Sequence, residues 1–421
     1  MPGHKRNPEF NIVGSEIDIT EIEGFDNLHS PEGVILEIEN RLSNIYKAEK
    51  SFLLVGGSTL GILCSILALT ERGDKIIIAR NCHKSVYNAC ILNGLKIVYL
   101  EPEFDSINGC YTSVMQDRVD RAVESNPDAK VLVITSPTYE GRISNIKCRI
   151  PLIIDAAHGA HLGLSDFPAY PKGSIVVSSL HKTLPALTQT AVLNVYDSAL
   201  ISEIKRYIDL LETSSPSYVL MSSVSVCCDI IENKGGLFKE YYKNLTSFRD
   251  IKLDALRLKY SDDISKIVIS SENTDISGYE LAKILREKYR IEAEMASLNY
   301  VVLMTSVGDT KEAFNKLGCA LQEIDSALTI KPCGLIKKPP VPEGVTEAAI
   351  IKSYEETEIE NSVGKISAEF IYAYPPDIPI ITPGERITRE ALDYLLTLDR
   401  AGVKVISDSA LFPKFILTKA D

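Results

Sequence analysis

Short apolar runs, most of them unbroken by a polar residue, alternate with stretches of helical spacing in the first half of this chain. The runs are residues 52–55, 75–79, 96–100, 131–135, 152–155, 175–178 and 191–195. An unbroken β-branched run has to hide both faces of its strand. Strands hidden on both faces belong to a sheet covered by helices, and helical stretches at 59–71, 84–93 and 113–124 lie between the runs. The pattern therefore predicts an α/β architecture around a mostly parallel sheet. Residues 33–47 read as an amphipathic helix ahead of it, and 199–212 and 218–232 as two helices behind it.

From about Leu245 the signal changes, with fewer strands and more polar helices. Ser277 followed by Glu280 is a capping-box start for a helix over 278–288. Pro332, Pro339, Pro340 and Pro342 mark 331–344 as a loop or linker, and a second proline-rich stretch, 375–383, precedes a last helix at 389–400. A chain of 421 residues is long enough for two or three domains. The expected layout is an N-terminal arm (1–48), a large α/β domain (49–245) and a smaller C-terminal α+β domain (246–421).

Charge narrows the classes of partner. Against 45 basic side chains stand 57 acidic ones, a formal net charge of −12. Nucleic-acid binding needs a basic stripe to neutralise phosphate, and the sequence has none. Residues 51–70 are uncharged over a length that could cross a bilayer, but Gly56, Gly57, Ser58 and Thr59 interrupt them. Strand, tight turn and buried helix is the better reading, so no membrane association is expected. Nine cysteines, no C-x-x-C pair and no signal-peptide pattern suggest reduced thiols in a cytoplasm.

Three places carry candidate chemistry. Lys182, in Leu180-His181-Lys182-Thr183, follows the run at 175–178; a lysine at the mouth of a buried strand either snorkels into water or forms a Schiff base with a carbonyl cofactor. Upstream, Asp155 closes the strand of Leu152-Ile153-Ile154-Asp155-Ala156-Ala157-His158-Gly159. A carboxylate there either caps a turn or faces a ligand in the crevice beyond the strand ends; opposite a pyridinium nitrogen it would keep that ring protonated. Gly56-Gly57-Ser58-Thr59 opens a helix after a strand, which makes a phosphate seat from backbone N–H groups and hydroxyls. His158 and His161 are three apart, as metal ligands can be, but no third ligand has suitable spacing, and no metal is expected. His83 follows a strand end, where it either caps a helix or stacks on an aromatic ring.

Together these residues resemble the bacterial Orn/Lys/Arg decarboxylase family, fold type I enzymes dependent on pyridoxal 5′-phosphate. The resemblance is carried by Pro2-Gly3-His4-Lys5, Asp18-Ile19-Thr20-Glu21, Asp26-Asn27-Leu28-His29, Arg80-Asn81 with His83-Lys84-Ser85, and Ser136-Pro137-Thr138-Tyr139. It continues in Asp155 with Ala157-His158-Gly159, Ser179 with His181-Lys182, Thr188-Gln189, Thr213 to Tyr218, Tyr374-Pro375-Pro376 and Pro383-Gly384-Glu385. It is dense over 2–221 and thinner beyond.

The resemblance implies a seven-stranded, mostly parallel sheet and pyridoxal 5′-phosphate as cofactor. Lys182 would hold the cofactor covalently, Asp155 would pair with its ring nitrogen, and His83 would stack on the ring opposite Ala157. Ser58, Ser179 and His181, with Thr59, would hold the phosphate, and His158 would sit close by. Ser214 and Ser215 lie in the segment that would reach a neighbouring subunit's site, which implies a homodimer. The implied reaction converts lysine, arginine or ornithine to CO₂ and cadaverine, agmatine or putrescine, as in polyamine biosynthesis, with His181 or Lys182 as proton donor. Transamination, aldol cleavage or a silent binding role are the alternatives. Glu369 and Glu385 are candidate partners for a cationic substrate side chain. The chain departs from the family at Ala156 (usually Glu), Ser225 (usually Asp) and Asp377 (usually Gly).

Overall fold

A computed structural model of the chain describes residues 2–331, 336–373 and 377–420. Pro332 and Cys333 of the expected linker and Tyr374-Pro375-Pro376 of the later motif lie outside the described residues. The large sheet has seven strands: β1 (Lys50–Leu54), β2 (Lys75–Ala79), β3 (Lys96–Leu100), β4 (Ala129–Thr135), β5 (Leu152–Asp155), β6 (Ile175–Ser179) and β7 (Ala191–Val195). Their order is β1-β7-β6-β5-β4-β2-β3. β7 runs antiparallel to both of its neighbours, and every other pair is parallel. All residues of β5, β6 and β7 are buried, as unbroken apolar runs require.

The helices are placed by small residues and caps. Helix Gly57–Leu69 crosses the sheet with Gly61 against it; a Cβ there would lie 2.7 Å from Val177 Cγ1 and 3.0 Å from Leu54 Cδ1. Helix Lys84–Asn93 is capped by His83, whose side chain accepts the Ser85 N–H, and ends at Gly94 in the left-handed conformation. Helix Val34–Tyr46 buries Ile35, Ile38, Leu42 and Tyr46. Its start is tied by Asp26, whose Oδ2 accepts the N–H groups of Gly33 and Ile35, both at 2.8 Å. The uncharged stretch at 51–70 is strand, turn and helix, and among the described residues no helix is long and apolar enough to cross a membrane.

Beyond the sheet the structure corrects the expectation of fewer strands. Among the described residues nine lie after Leu245, each of two to five residues, too short to display a period. Four form an antiparallel sheet in the order Arg257–Leu258, Lys266–Ser270, Tyr300–Met304, Met295–Ala296. Helices Gly235–Phe248, Gly278–Tyr289 and Lys311–Ala327 pack there around Leu281, Leu285, Phe314, Leu317 and Leu321. Tyr241, Leu245 and Phe248 join this core, so the expected boundary at 245 falls inside a helix that packs with the C-terminal side of the chain. Ser277 and Glu280 do form the capping box.

The remaining strands make a three-stranded sheet (Ile378–Ile381, Ile371–Ala373, Val405–Ser407) and a pair (Tyr354–Glu358 with Phe415–Lys419), with helix Arg389–Arg400 beside them. Strand Ile378–Ile381 lies within the second proline-rich stretch; Pro379 is tolerated because its strand is at a sheet edge. Buried Arg80 joins this part to the large sheet, donating to the carbonyls of Pro379 (2.7 Å) and Ile380 (2.9 Å).

Gly61→Ala tests the helix–sheet contact. Helix propensity favours alanine by up to about 1 kcal/mol, whereas overpacking costs about 1–3 kcal/mol. Urea unfolding is expected to show a net loss of stability; a gain would mean that the helix is free to shift.

Candidate active site

The polar residues of the sheet gather at the carboxyl ends of β2, β4, β5 and β6. Parallel register puts Thr135, the last residue of β4, beside Asp155, the last of β5, with Val177 of β6 next in line. Asp155 is buried, and its Oδ1 accepts the N–H of Ala157 at 3.1 Å. β6 passes directly into a one-turn helix, Leu180–Thr183, which carries His181 and Lys182. Lys182 Nζ lies 2.9 Å from His158 Nε2, and His181 Nδ1 donates to the Thr190 carbonyl at 2.9 Å.

The Gly56-Gly57 turn brings in a helix N-terminus. Gly57 has φ +74°, a conformation open to glycine, and its N–H donates to the Gln189 carbonyl at 2.9 Å. No side chain caps helix Gly57–Leu69, and Gly57, Ser58 and Thr59 of its first turn line the pocket. Ser179 Oγ donates to Ser58 Oγ at 2.9 Å across this mouth. His83 closes another side, with Nδ1 held by Ser85 Oγ at 2.9 Å.

Lys182, Asp155, His83, Ser58, Thr59, Ala157, His158, Ser179 and His181 thus line one pocket, together with Thr135, Pro137, Tyr139, Thr188 and Gln189. Ser214 and Ser215 are not brought to it within the chain; they are exposed after helix Ile201–Leu211. His158 and His161 face different partners, Lys182 and Asp263. Glu385 and Glu369 are not pocket residues. Glu385 accepts from Tyr99 OH (2.5 Å) and the Thr382 N–H (2.7 Å), and Glu369 from the N–H groups of Ser409 (2.8 Å) and Leu417 (2.7 Å). Ala156 is wholly buried in the sheet's core, while Ser225 stands 3.5 Å from an Arg41 guanidinium that Asp229 and Glu232 hold.

Sequence reasoning missed residues that arrive from distant segments. Glu294 Oε1 stands 3.9 Å from His158 Nε2, and Asp377 Oδ2 stands 4.0 Å from His83 Nε2. Beneath the pocket lies a fully buried ion cluster. Lys266 Nζ donates to the His158 carbonyl (3.0 Å), Asp263 Oδ2 (3.0 Å) and Ser265 Oγ (3.1 Å), while Asp263 Oδ1 meets His161 Nε2 at 3.0 Å. One signal was available: Lys266 opens the apolar run Ile267-Val268-Ile269, where a charge is costly unless paired.

Burial shapes the protonation of the site. It pushes the Asp155 carboxyl up, and the charges of His83 and Lys182 pull it partly back. It pushes the Lys182 amine down, against Asp155 and Glu294, which favour the ammonium. Burial and then the Lys182 charge hold His158 well below its ordinary range, so this imidazole is neutral. His83 and His181 are also lowered by burial.

Comparison with known proteins decides the family. The pattern described as "Orn/Lys/Arg decarboxylase, major domain" matches residues 11–255, and the corresponding C-terminal domain matches 335–405. The chain belongs to the Orn/Lys/Arg decarboxylase family. An arginine decarboxylase of Halalkalibacterium halodurans is 31% identical over 96% of this chain and 91% of its own length. An uncharacterized protein of Bacillus subtilis is 35% identical over 94% and 90%. The constitutive lysine decarboxylase of Escherichia coli shares the fold, with a TM-score of 0.82 at 18% identity over all of this chain and 79% of that one. The fold is that of the fold type I enzymes, and the chain is an amino-acid decarboxylase with pyridoxal 5′-phosphate as its cofactor.

The residues present fit that group. Asp155 is a buried carboxylate that, among the described residues, takes one hydrogen bond, which leaves it an acceptor for a ring N–H. The Lys182 amine lines the same pocket, and the uncapped helix start with Ser58 and Ser179 suits a phosphate.

The ion cluster gives a prediction. Burial alone would push Asp263 up, but the charges of His161 and Lys266 win and hold it well below the usual carboxylate range. A depressed carboxylate stabilises the fold above its unfolded pKa of about 3.9, and that part is lost as pH falls through the native value. Asp263→Asn strands the Lys266 charge and is expected to cost about 3–5 kcal/mol at pH 7 in denaturant unfolding. The variant's stability should also fall less on acidification below about pH 4. A neutral substitution would show that the cluster carries no net energy.

Proposed function

We propose that this chain decarboxylates a basic L-amino acid, lysine, arginine or ornithine, to CO₂ and cadaverine, agmatine or putrescine. The observation that carries the reading is the Lys182 amine, facing the buried Asp155 carboxylate across one pocket and touching a neutral imidazole. Names among the relatives support the substrate class: arginine decarboxylase in Halalkalibacterium halodurans and constitutive lysine decarboxylase in Escherichia coli. The rim adds two carboxylates, Glu294 and Asp377, whose charges both reach Lys182.

Bound pyridoxal 5′-phosphate supplies an electron sink for the pair left when the Cα–carboxylate bond breaks. The chain's residues do the rest. Asp155 would hold a proton on the ring nitrogen, and burial would strengthen that charge pair. Ser58, Ser179, His181 and Thr59 would seat the phosphate at the helix start, with His83 and Ala157 placed to flank the ring. Lys182 would hold the cofactor covalently through Nζ. Once free, its amine would be placed to deliver a proton to Cα, and His158 Nε2, 2.9 Å from Nζ, would orient it by a hydrogen bond.

A homodimer in the cytoplasm is part of this proposal, with Ser214 and Ser215 serving a partner's site. Phe10, Ile12, Val13, Ile17 and Leu210 are exposed on the arm and on helix Ile201–Leu211, apolar surface that a second copy would cover.

The test is a panel of basic amino acids offered to the purified, yellow holoenzyme. Release of CO₂ with the matching amine is expected from at least one; amine transfer to a keto acid would overturn the reading. Borohydride should fix the cofactor on Lys182, and Lys182→Ala should abolish turnover while leaving the unfolding transition in place. Decarboxylation by that variant would show that another group bears the chemistry.

A further inference from the structure

Asp377 stands at the pocket rim in an unusual backbone state. Its φ is +57°, the left-handed region that side chains other than glycine's seldom occupy, though aspartate does so more readily than most. Its carbonyl accepts the N–H of Lys84 at 3.2 Å, which ties it to the start of helix Lys84–Asn93. Its carboxylate lies 4.0 Å from the Nε2 of His83, a pocket residue, and is one-third exposed. The charge of Asp377 also acts on Lys182 and Tyr139.

No internal cation is assigned to this carboxylate. The nearest lysine in space along the backbone tie, Lys84, is engaged elsewhere: its Nζ meets Asp408 Oδ1 at 2.7 Å and lies 4.7 Å over each of the Phe370 and Tyr372 rings. Among the described residues no Lys or Arg forms an ion pair with Asp377. His83 is a poor counter-ion, because burial lowers its affinity for a proton.

We infer that Asp377 is a specificity-determining residue that receives the distal cation of the substrate side chain. The inference rests on the basic-amino-acid reading of the site. The α-amine of such a substrate is used at Lys182, so one positive charge is left over, and Asp377 is a carboxylate within the field of the site that lacks one. An ammonium or guanidinium group there gains a charge-assisted hydrogen bond in a partly desolvated place. Neutral amino acids gain nothing and leave the carboxylate unpaired, which is how the residue discriminates.

The experiment compares wild-type holoenzyme with Asp377→Asn and Asp377→Gly. Glycine suits a φ of +57°, so the second variant is expected to unfold no earlier than wild type. For the amino acid selected by the panel, KM should rise about fivefold in both variants. The kcat should stay within about twofold, and cofactor absorbance and affinity should not move. Calorimetry with n-butylammonium and n-butylguanidinium reads the subsite without turnover: one of them should bind wild type and lose about fivefold in both variants. That arm separates the two readings, since it can succeed even if no basic amino acid is decarboxylated. A KM change under twofold, equal binding of the probes to all three proteins, or no binding to wild type would overturn the inference. So would altered cofactor affinity with KM unchanged, which would assign Asp377 to His83 instead.

Discussion

Hiding both faces of a parallel sheet leaves one place where charge can meet solvent and ligand, and that is the edge where the strands end. In this chain β5 and β6 are buried along their whole length, and polar residues appear only at their carboxyl ends, Asp155 on β5 and Ser178, Ser179 and the Leu180–Thr183 turn on β6. Burial then acts on the groups placed there. It raises the Asp155 carboxyl and lowers the Lys182 amine. Either group alone would be a liability at that depth; lining one pocket, each is stabilised by the other's charge. The same desolvation keeps His158 neutral, which lets it accept a hydrogen bond from the neighbouring amine rather than repel it.

The edge of the sheet cannot finish the site by itself. His158 sits on the loop after β5, and its carbonyl is held by Lys266 from the four-stranded sheet. Lys266 is in turn fixed by Asp263, and Asp263 by His161 of that same loop. The loop is therefore bound twice to one buried aspartate. A network in which each donor has an acceptor admits few alternative arrangements, because breaking any one bond strands a buried charge. Arg80 does the equivalent work toward the C-terminal strands, where two backbone carbonyls receive its guanidinium.

How much of the fold was legible in the sequence depends on how local each signal is. Strands 75–79, 96–100, 152–155 and 191–195 read to their ends because each is a short run dominated by apolar, mostly β-branched residues. Helix Lys84–Asn93 read to its ends because His83 and Gly94 are local caps. The two-residue strands after Leu245 carry no period, and helix Gly235–Phe248 starts without a side-chain cap, so neither announces itself. The site divides the same way. Asp155, His158 and Lys182 lie in contiguous motifs at strand ends, whereas Glu294, Asp263, Lys266 and Asp377 enter through packing between distant segments. Glu369 and Glu385 misled for the converse reason: a glutamate that satisfies buried backbone N–H groups looks, in sequence, like one awaiting a ligand.

The distribution of charge around the pocket gives the substrate class its physical basis. Inside, the three imidazoles His83, His158 and His181 are all pushed toward neutrality, so the only strong positive group among the pocket residues is Lys182, which the proposed function commits to the cofactor. At the rim stand carboxylates on two sides, Glu294 toward His158 and Asp377 toward His83. A second anionic side chain on the substrate would meet both and have nothing to answer it. A side chain with a terminal cation, as in the proposed substrate class, would relieve an imbalance that the fold has already set up.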